Sequence, residues 1–344
     1  MRSAELLRRL TATASPSGYE NSIRSLLKTI VSPLVDNCTE DVHGNLICYK
    51  QNRIAEGANT IMFVAHMDEV GLMVSYIEES GYIRFTCIGG VDLLILIGRK
   101  VRIVHDGIEI PGVIGAKPYH MKRHPLSGDL EESELWIDIG VSGKEEAEKK
   151  VSIGDCVVVD SPFTELPDGF IASRGCDDKA GVVALVNMLE LIQEEHLNSN
   201  IVVVFSVQEE VGLRGATTAS YLVSPDICIT VDVAHATDYP SINKAKYSDI
   251  RIGGGPVIPF GSDLTPAIQN TLRHFALQKE ICFQQLALPG SSGTDASVVR
   301  QTKSGCATGL ISIPCRYMHT PVEIVSLVDV DRVSRILSEF CKQR

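Results

Sequence analysis

A chain of 344 residues, with 44% hydrophobic and 22% charged side chains, exceeds one ordinary core and reads as a two-domain globular enzyme. Its net charge of -11 repels nucleic acid and anionic membrane, so neither is expected as a partner, and no window approaches the ~18 apolar residues of a membrane span. The 10 cysteines stand singly with no CxxC pair, which argues against cysteine zinc sites and, with no apolar leader pattern, for reduced thiols in the cytoplasm.

Leu6, Leu7 and Leu10 predict a first helix over 4–13, and the break at Ser15-Pro16-Ser17-Gly18 precedes a second over 21–30. The apolar run 60–65 is a buried strand that ends in His66-Met67-Asp68-Glu69. From about 70 to 160 the pattern changes to short β-type runs punctuated by glycine, with one helical patch at 144–150. That block reads as a small β-barrel inserted into an α/β domain. The expected division is therefore 1–69 and 161–344 for the α/β domain and 70–160 for the insert.

The α/β pattern resumes at Gly169. Asp177 and Asp178 stand at the mouth of a helix predicted over 182–195, and the β-branched run 201–207 is a strand buried on both faces. That strand stops at Gln208-Glu209-Glu210, and Gly212 and Gly215 then let the chain turn. A further strand over 227–231 ends at Asp232. A helix over 267–279, a strand over 309–314 running out toward His319, and a closing helix over 330–341 complete the order.

Ligands of open α/β sheets bind beyond the carboxyl ends of the strands, and there this chain repeatedly places metal-type side chains. Taken singly each has an ordinary explanation: Glu209-Glu210 as a solvated loop, Asp177-Asp178 as a helix cap, a lone histidine as core. Together, His66, Asp177, Glu210, Asp232 and His319 form a set of imidazoles and carboxylates suited to two divalent ions. Zinc is the first expectation, and the same donors accept cobalt or manganese. Glu209 is left over and faces a different way from Glu210, so it is the expected general base. Asp68, two residues after His66, is expected to orient the imidazole through its other N–H. Asp177-Asp178 is a candidate cis peptide, because strained bonds collect at metal sites.

AHMDEVG at 65–71, CDDKAG at 176–181, QEEVGLRGA at 208–216, VDVAHATDYP at 231–240, SSGTDA at 291–296 and RYMHTPVE at 316–323 resemble the TET-type, glutamyl-aminopeptidase-like family that includes FrvX-type proteins. The resemblance implies a mixed-sheet, three-layer zinc-peptidase-like α/β domain with an inserted small β-barrel. It implies that the five ligands hold two divalent ions, with Asp177 shared, Glu209 as base and Asp68 as orienting acid. It also implies a homo-oligomer, the twelve-subunit tetrahedral particle being the family form. Two stretches depart from the pattern: Ser173-Arg174-Gly175-Cys176 before the Asp pair, and the unusually apolar 91–97, which would alter substrate preference.

The expected reaction is removal of N-terminal residues from short peptides by hydroxide attack on the peptide carbonyl, with Glu209 moving the proton. A deacylase of N-acyl amino acids or small amides would use the same ligands, and a non-catalytic assembly subunit would keep the fold without the base. His120 and Asp295 are weaker candidates for the site, as are His124 and His235. His43, His105, His196 and His274 are expected to be structural or solvent-facing. An acidic substrate would need a basic pocket wall, for which Lys244, Lys246, Arg251 and Arg316 are the candidates.

Overall fold

The computed structural model describes residues 3–50, 58–121 and 130–343. Its helices are α1 Ser3–Ala12, α2 Asn21–Val31, α3 Lys144–Glu148, α4 Cys176–Leu191, α5 Arg214–Val223, α6 Lys244–Tyr247, α7 Pro266–Gln278, α8 Ala296–Val299 and α9 Leu327–Gln343. The strands up to the middle of the chain are β1 Asn37–Glu40, β2 Leu46–Lys50, β3 Thr60–His66, β4 Gly71–Ile77, β5 Ile83–Ile88, β6 Lys100–His105, β7 Ile108–Ala116, β8 Leu135–Asp138 and β9 Cys156–Val159. After them come β10 Thr164–Glu165, β11 Phe170–Ser173, β12 Asn200–Ser206, β13 Ile227–His235, β14 Phe260–Gly261, β15 Ala287–Leu288, β16 Ala307–Arg316 and β17 Glu323–Ser326.

A nine-stranded sheet runs in the order β1-β2-β12-β3-β13-β16-β17-β11-β10. Its centre, β12-β3-β13-β16, is parallel, and the outer pairings are antiparallel. Parallel strands are covered on both faces, and β3 shows how. Ile61, Phe63 and Ala65 join the core formed with α1, α4, α7 and α9, while Met62 and Val64 join the one under α5 and α8. Alternation along the strand thus produces the three layers. Phe340 on α9 meets Phe63 edge-on at 6.5 Å and Phe275 on α7 at 6.0 Å, contacts worth about 0.5–1.5 kcal/mol each beyond their burial.

Between β3 and β10, strands β4-β5-β8-β7-β6-β9 close a barrel. Leu72, Val74, Phe85, Ile103, Ile137 and Val157 are among the side chains that fill it, apart from the main core. The fold class is the expected one, a mixed three-layer α/β domain with an inserted barrel. Boundaries near the site differ from the sequence reading at two places. The strand expected over 227–231 runs on as Ile227–His235, which puts Asp232 inside it rather than at its end. The helix expected over 182–195 begins at Cys176 and ends at Leu191, with non-helical Asp177 and Asp178 inside its first turn. Asp178 Oδ1 accepts the Gly181 N–H at 3.1 Å, so a carboxylate caps the regular part of the helix.

Candidate active site

Register brings the ends of the central strands together. Ser206, last in β12, pairs with His66, last in β3, and β13 lies parallel on the other side of β3. After Ser206 the chain turns through Gln208, at φ 54°, and presents Glu209 and Glu210. The turn closes against the hairpin between β1 and β2. Asn45 accepts the Val207 N–H at 3.1 Å and donates to Gly215 O at 2.9 Å. A Cβ on Gly215 would stand 2.3 Å from Asn45 Oδ1 and 2.4 Å from Val207 O, so the approach requires glycine.

Asp177 occupies the middle. Its Oδ1 is 3.1 Å from His66 Nε2 and its Oδ2 is 3.4 Å from His319 Nε2. His319 Nε2 also lies 3.2 Å from Glu210 Oε2, and His66 Nε2 lies 4.0 Å from Asp232 Oδ1. Donor atoms of His66, Asp177 and Glu210 all fall within 4.8 Å of one another, and so do those of His66, Asp178 and Asp232. The second group includes Asp178, which the sequence reading treated only as a neighbour. The Asp177–Asp178 peptide is cis.

Both imidazoles are oriented from behind. His319 Nδ1 donates to Gly90 O at 2.9 Å, a contact supplied by the barrel segment, which turns Nε2 toward the carboxylates. His66 Nδ1 lies 3.2 Å from Asp68 O and 3.4 Å from Asp68 Oδ1, so the backbone carbonyl is nearer than the expected carboxylate. The Asp68 carboxylate accepts the Ser17 hydroxyl at 2.6 Å and the N–H groups of Glu209 and Glu210 at 3.1 and 3.3 Å. It therefore holds the acidic turn itself in place.

Sequence reasoning missed Glu323, the last residue of the RYMHTPVE stretch. Its carboxylate accepts the Asp177 N–H at 3.0 Å and the His319 N–H at 2.8 Å, tying two remote segments of the cluster together. Sequence reasoning also missed Glu69. It is buried against Arg174 and against Lys179, whose Nζ is 2.8 Å away, and it accepts the Ser15 N–H at 3.0 Å. Arg174, the departure before the Asp pair, is thus an internal counter-charge, and Lys179 pairs with Glu69 rather than with Asp177 or Asp178.

The acidic side chains outnumber the cations facing them. Burial drives the Asp178 and Asp232 carboxyls far above the usual carboxylate range and Glu209 up to about 10, with neighbouring carboxylates adding to each. His319 is raised to about 11 by the Asp177 and Glu210 carboxylates, whose pull outweighs its burial. Asp178 Oδ2 is buried without a hydrogen-bond partner. An imidazole and carboxylate donor set with surplus buried negative charge fits divalent cations, which restore the ionised forms by opposite charge.

The histidine and carboxylate cluster opens into a cleft of about 770 Å³ lined by Tyr239, Lys246, Leu286 and Leu288, with His235 alongside. Arg316 is held by Asp238 at 2.7 and 2.6 Å, while Lys244 and Arg251 share Asp249 at 2.7 and 2.8 Å. Of the four basic candidates, Lys246 is the one on the cleft wall. Asp295 is not a wall residue; it lies beneath the site, where Oδ2 accepts the Ser206 hydroxyl at 2.6 Å. His120 is exposed on a turn of the insert and is not among the residues around the cleft. His124 falls outside the described residues. The apolar stretch 91–97 contains a 3₁₀ turn at Leu93–Leu96, and Val91, Ile95 and Leu96 line a narrow cavity of about 40 Å³ beside Glu210 and His319.

The M42 glutamyl aminopeptidase family profile matches residues 44–336. The lysyl aminopeptidase of Pyrococcus furiosus is 34% identical, covering 98% of this chain and 96% of its own length. The aminopeptidase APDkam598 from Desulfurococcus kamchatkensis superposes with a TM-score of 0.92 at 37% identity, covering 99% of this chain and 95% of that one. The TET1 peptidase of Pyrococcus horikoshii, which assembles into a tetrahedron or a large octahedral shell, superposes with a TM-score of 0.88 at 30% identity, covering 99% and 100%.

Proposed function

The chain belongs to the M42 glutamyl aminopeptidase family and is an aminopeptidase, and from that premise we propose that it removes N-terminal residues from short peptides at a two-cation site. The observation that carries the reading is the Asp177 carboxylate, with one oxygen toward His66 and the other toward His319. His66 and Asp232 would hold one ion, His319 and Glu210 the other, and Asp177 would be shared. Zinc suits these donors first, and cobalt or manganese are acceptable to the same set.

Bound there, divalent cations supply Lewis-acid polarisation of a peptide carbonyl and lower the pKa of water. Glu209 stands at the cleft, takes a proton from the attacking water and returns it to the departing amine. Asp68 keeps Glu209 in position through the Glu209 N–H. The cluster’s carboxylates also suit recognition of a free α-amino group. On the cleft wall, Lys246 favours an acidic or apolar N-terminal side chain over a lysyl one, because like charge is repelled. We further propose that the protein works in the cytoplasm as a homo-oligomer, in keeping with the TET1 assembly; no helix among the described residues is long and apolar enough to cross a membrane.

The test is release of free amino acid from unblocked and N-acetylated peptides beginning with Glu, Leu or Lys. Chelator-sensitive cleavage of the unblocked set, restored by zinc, cobalt or manganese, is the expected result. Glu209→Gln should lower kcat by about 10²–10⁴ with little change in KM. Cleavage of the acetylated set alone would establish the deacylase reading instead, and unchanged kcat in the Glu209 variant would remove the assigned base.

A further inference from the structure

Far from the metal ligands, two cysteines face each other across the outermost hairpin of the main sheet. Cys38 on edge strand β1 pairs in register with Cys48 on β2. Asp41 donates its N–H to Asn45 O, which makes that facing pair hydrogen-bonded. Counting back along the same register, alternation places Cys38 and Cys48 at a non-hydrogen-bonded position. Facing Cα atoms there are about 4.5 Å apart, inside the range a disulfide needs. The two sulfurs share a hydrogen bond at 3.2 Å.

The pair is also asymmetric. Cys48 is fully buried, whereas Cys38 is partly exposed. The hydrogen bond shared with Cys48, helped by Ser32 and the Lys28 ammonium, brings the Cys38 thiol down to about 7, and Cys48 is pushed up in turn. Cys38 is thus the accessible nucleophile and Cys48 the resolving thiol.

We propose that Cys38 and Cys48 form a reversible cross-strand disulfide by exchange with low-molecular-weight disulfides such as glutathione disulfide. The Cys38 thiolate attacks one glutathione sulfur and expels a first glutathione thiolate, leaving a mixed disulfide. Cys48 then loses its proton to solvent and attacks the Cys38 sulfur, which expels the second glutathione. Both protein sulfurs are oxidised by one electron each, and glutathione disulfide is reduced to two thiols. The consequence reaches the active site through the same hairpin, because Asn45 at its turn binds both Val207 and Gly215, which flank Glu209 and Glu210. The cross-link braces the support of that acidic turn.

The full-length protein supplies a direct test, since trypsin releases Cys38 and Cys48 together on peptide 29–50. After incubation with glutathione disulfide and alkylation, that peptide is expected to be unalkylated and lighter by two hydrogens, with dithiothreitol restoring both thiols. The oxidised protein should melt at a higher temperature than the reduced one, and Cys38→Ser should remove the difference. A stable glutathione adduct on Cys38, or two alkylatable thiols after oxidation, would overturn the pairing. A disulfide that leaves the melting temperature unchanged would overturn the bracing.

Discussion

Glu323 lines the narrow cavity beside the cluster rather than the main cleft, and its carboxylate holds the backbones of Asp177 and His319 through their N–H groups. Its carboxyl is pushed up to about 8, by burial first and by the Asp177 charge second. Replacing it by glutamine keeps the shape but turns one acceptor into a donor facing an N–H. Glu323→Gln should weaken zinc binding by about 10–100-fold, read by competition with a chromophoric chelator, while the fold persists. His66, Asp177, Glu210, Asp232 and His319 were legible as candidates because each stands at the expected end of a strand or mouth of a helix, although β13 carries on past Asp232 to His235. Glu323 was not, since its work is done through backbone N–H groups that leave no mark in side-chain pattern.

At the level of elements, the end of β3 is joined to α4 by charge as well as by packing. Burial disfavours the ionised Glu69, but Arg174 and Lys179 outweigh it and bring its pKa down to about 2, from an ordinary 4.5. A depressed carboxylate contributes stability that is fully present above its unfolded pKa and is lost as pH falls through the folded one. The contribution should therefore be complete above about pH 4.5 and fade toward pH 2. Glu69→Gln leaves Arg174 and Lys179 buried without their counter-charge and should cost about 3–5 kcal/mol near neutral pH. Denaturant titrations at several pH values check it: the gap between wild type and variant should narrow below pH 4.5, and a constant gap would refute the ion-pair account. In the sequence Lys179 stands next to Asp177 and Asp178, and Arg174 is part of a departure from the family pattern. Only the fold shows that both reach Glu69.

For the whole molecule, the proposed homo-oligomer is open to a direct test of size. Sedimentation velocity should show a particle near twelve chains, and a monomer at micromolar concentration would set the assembly aside. The barrel also matters at this scale, because Gly90 from it orients His319 from the other domain. The order of strands and helices, the glycine-punctuated insert and the acidic strand ends were all readable from the chain, because periodicity and burial are local properties of sequence. The sequence alone thus determined the fold class, the family and the set of candidate donors. Tertiary structure decided which atoms meet: Asp177 between two imidazoles, Asp178 within reach of His66 and Asp232, Asp295 beneath the site, and Lys246 on the cleft wall. Such meetings depend on register and crossing of segments far apart in the chain, which side-chain periodicity does not encode.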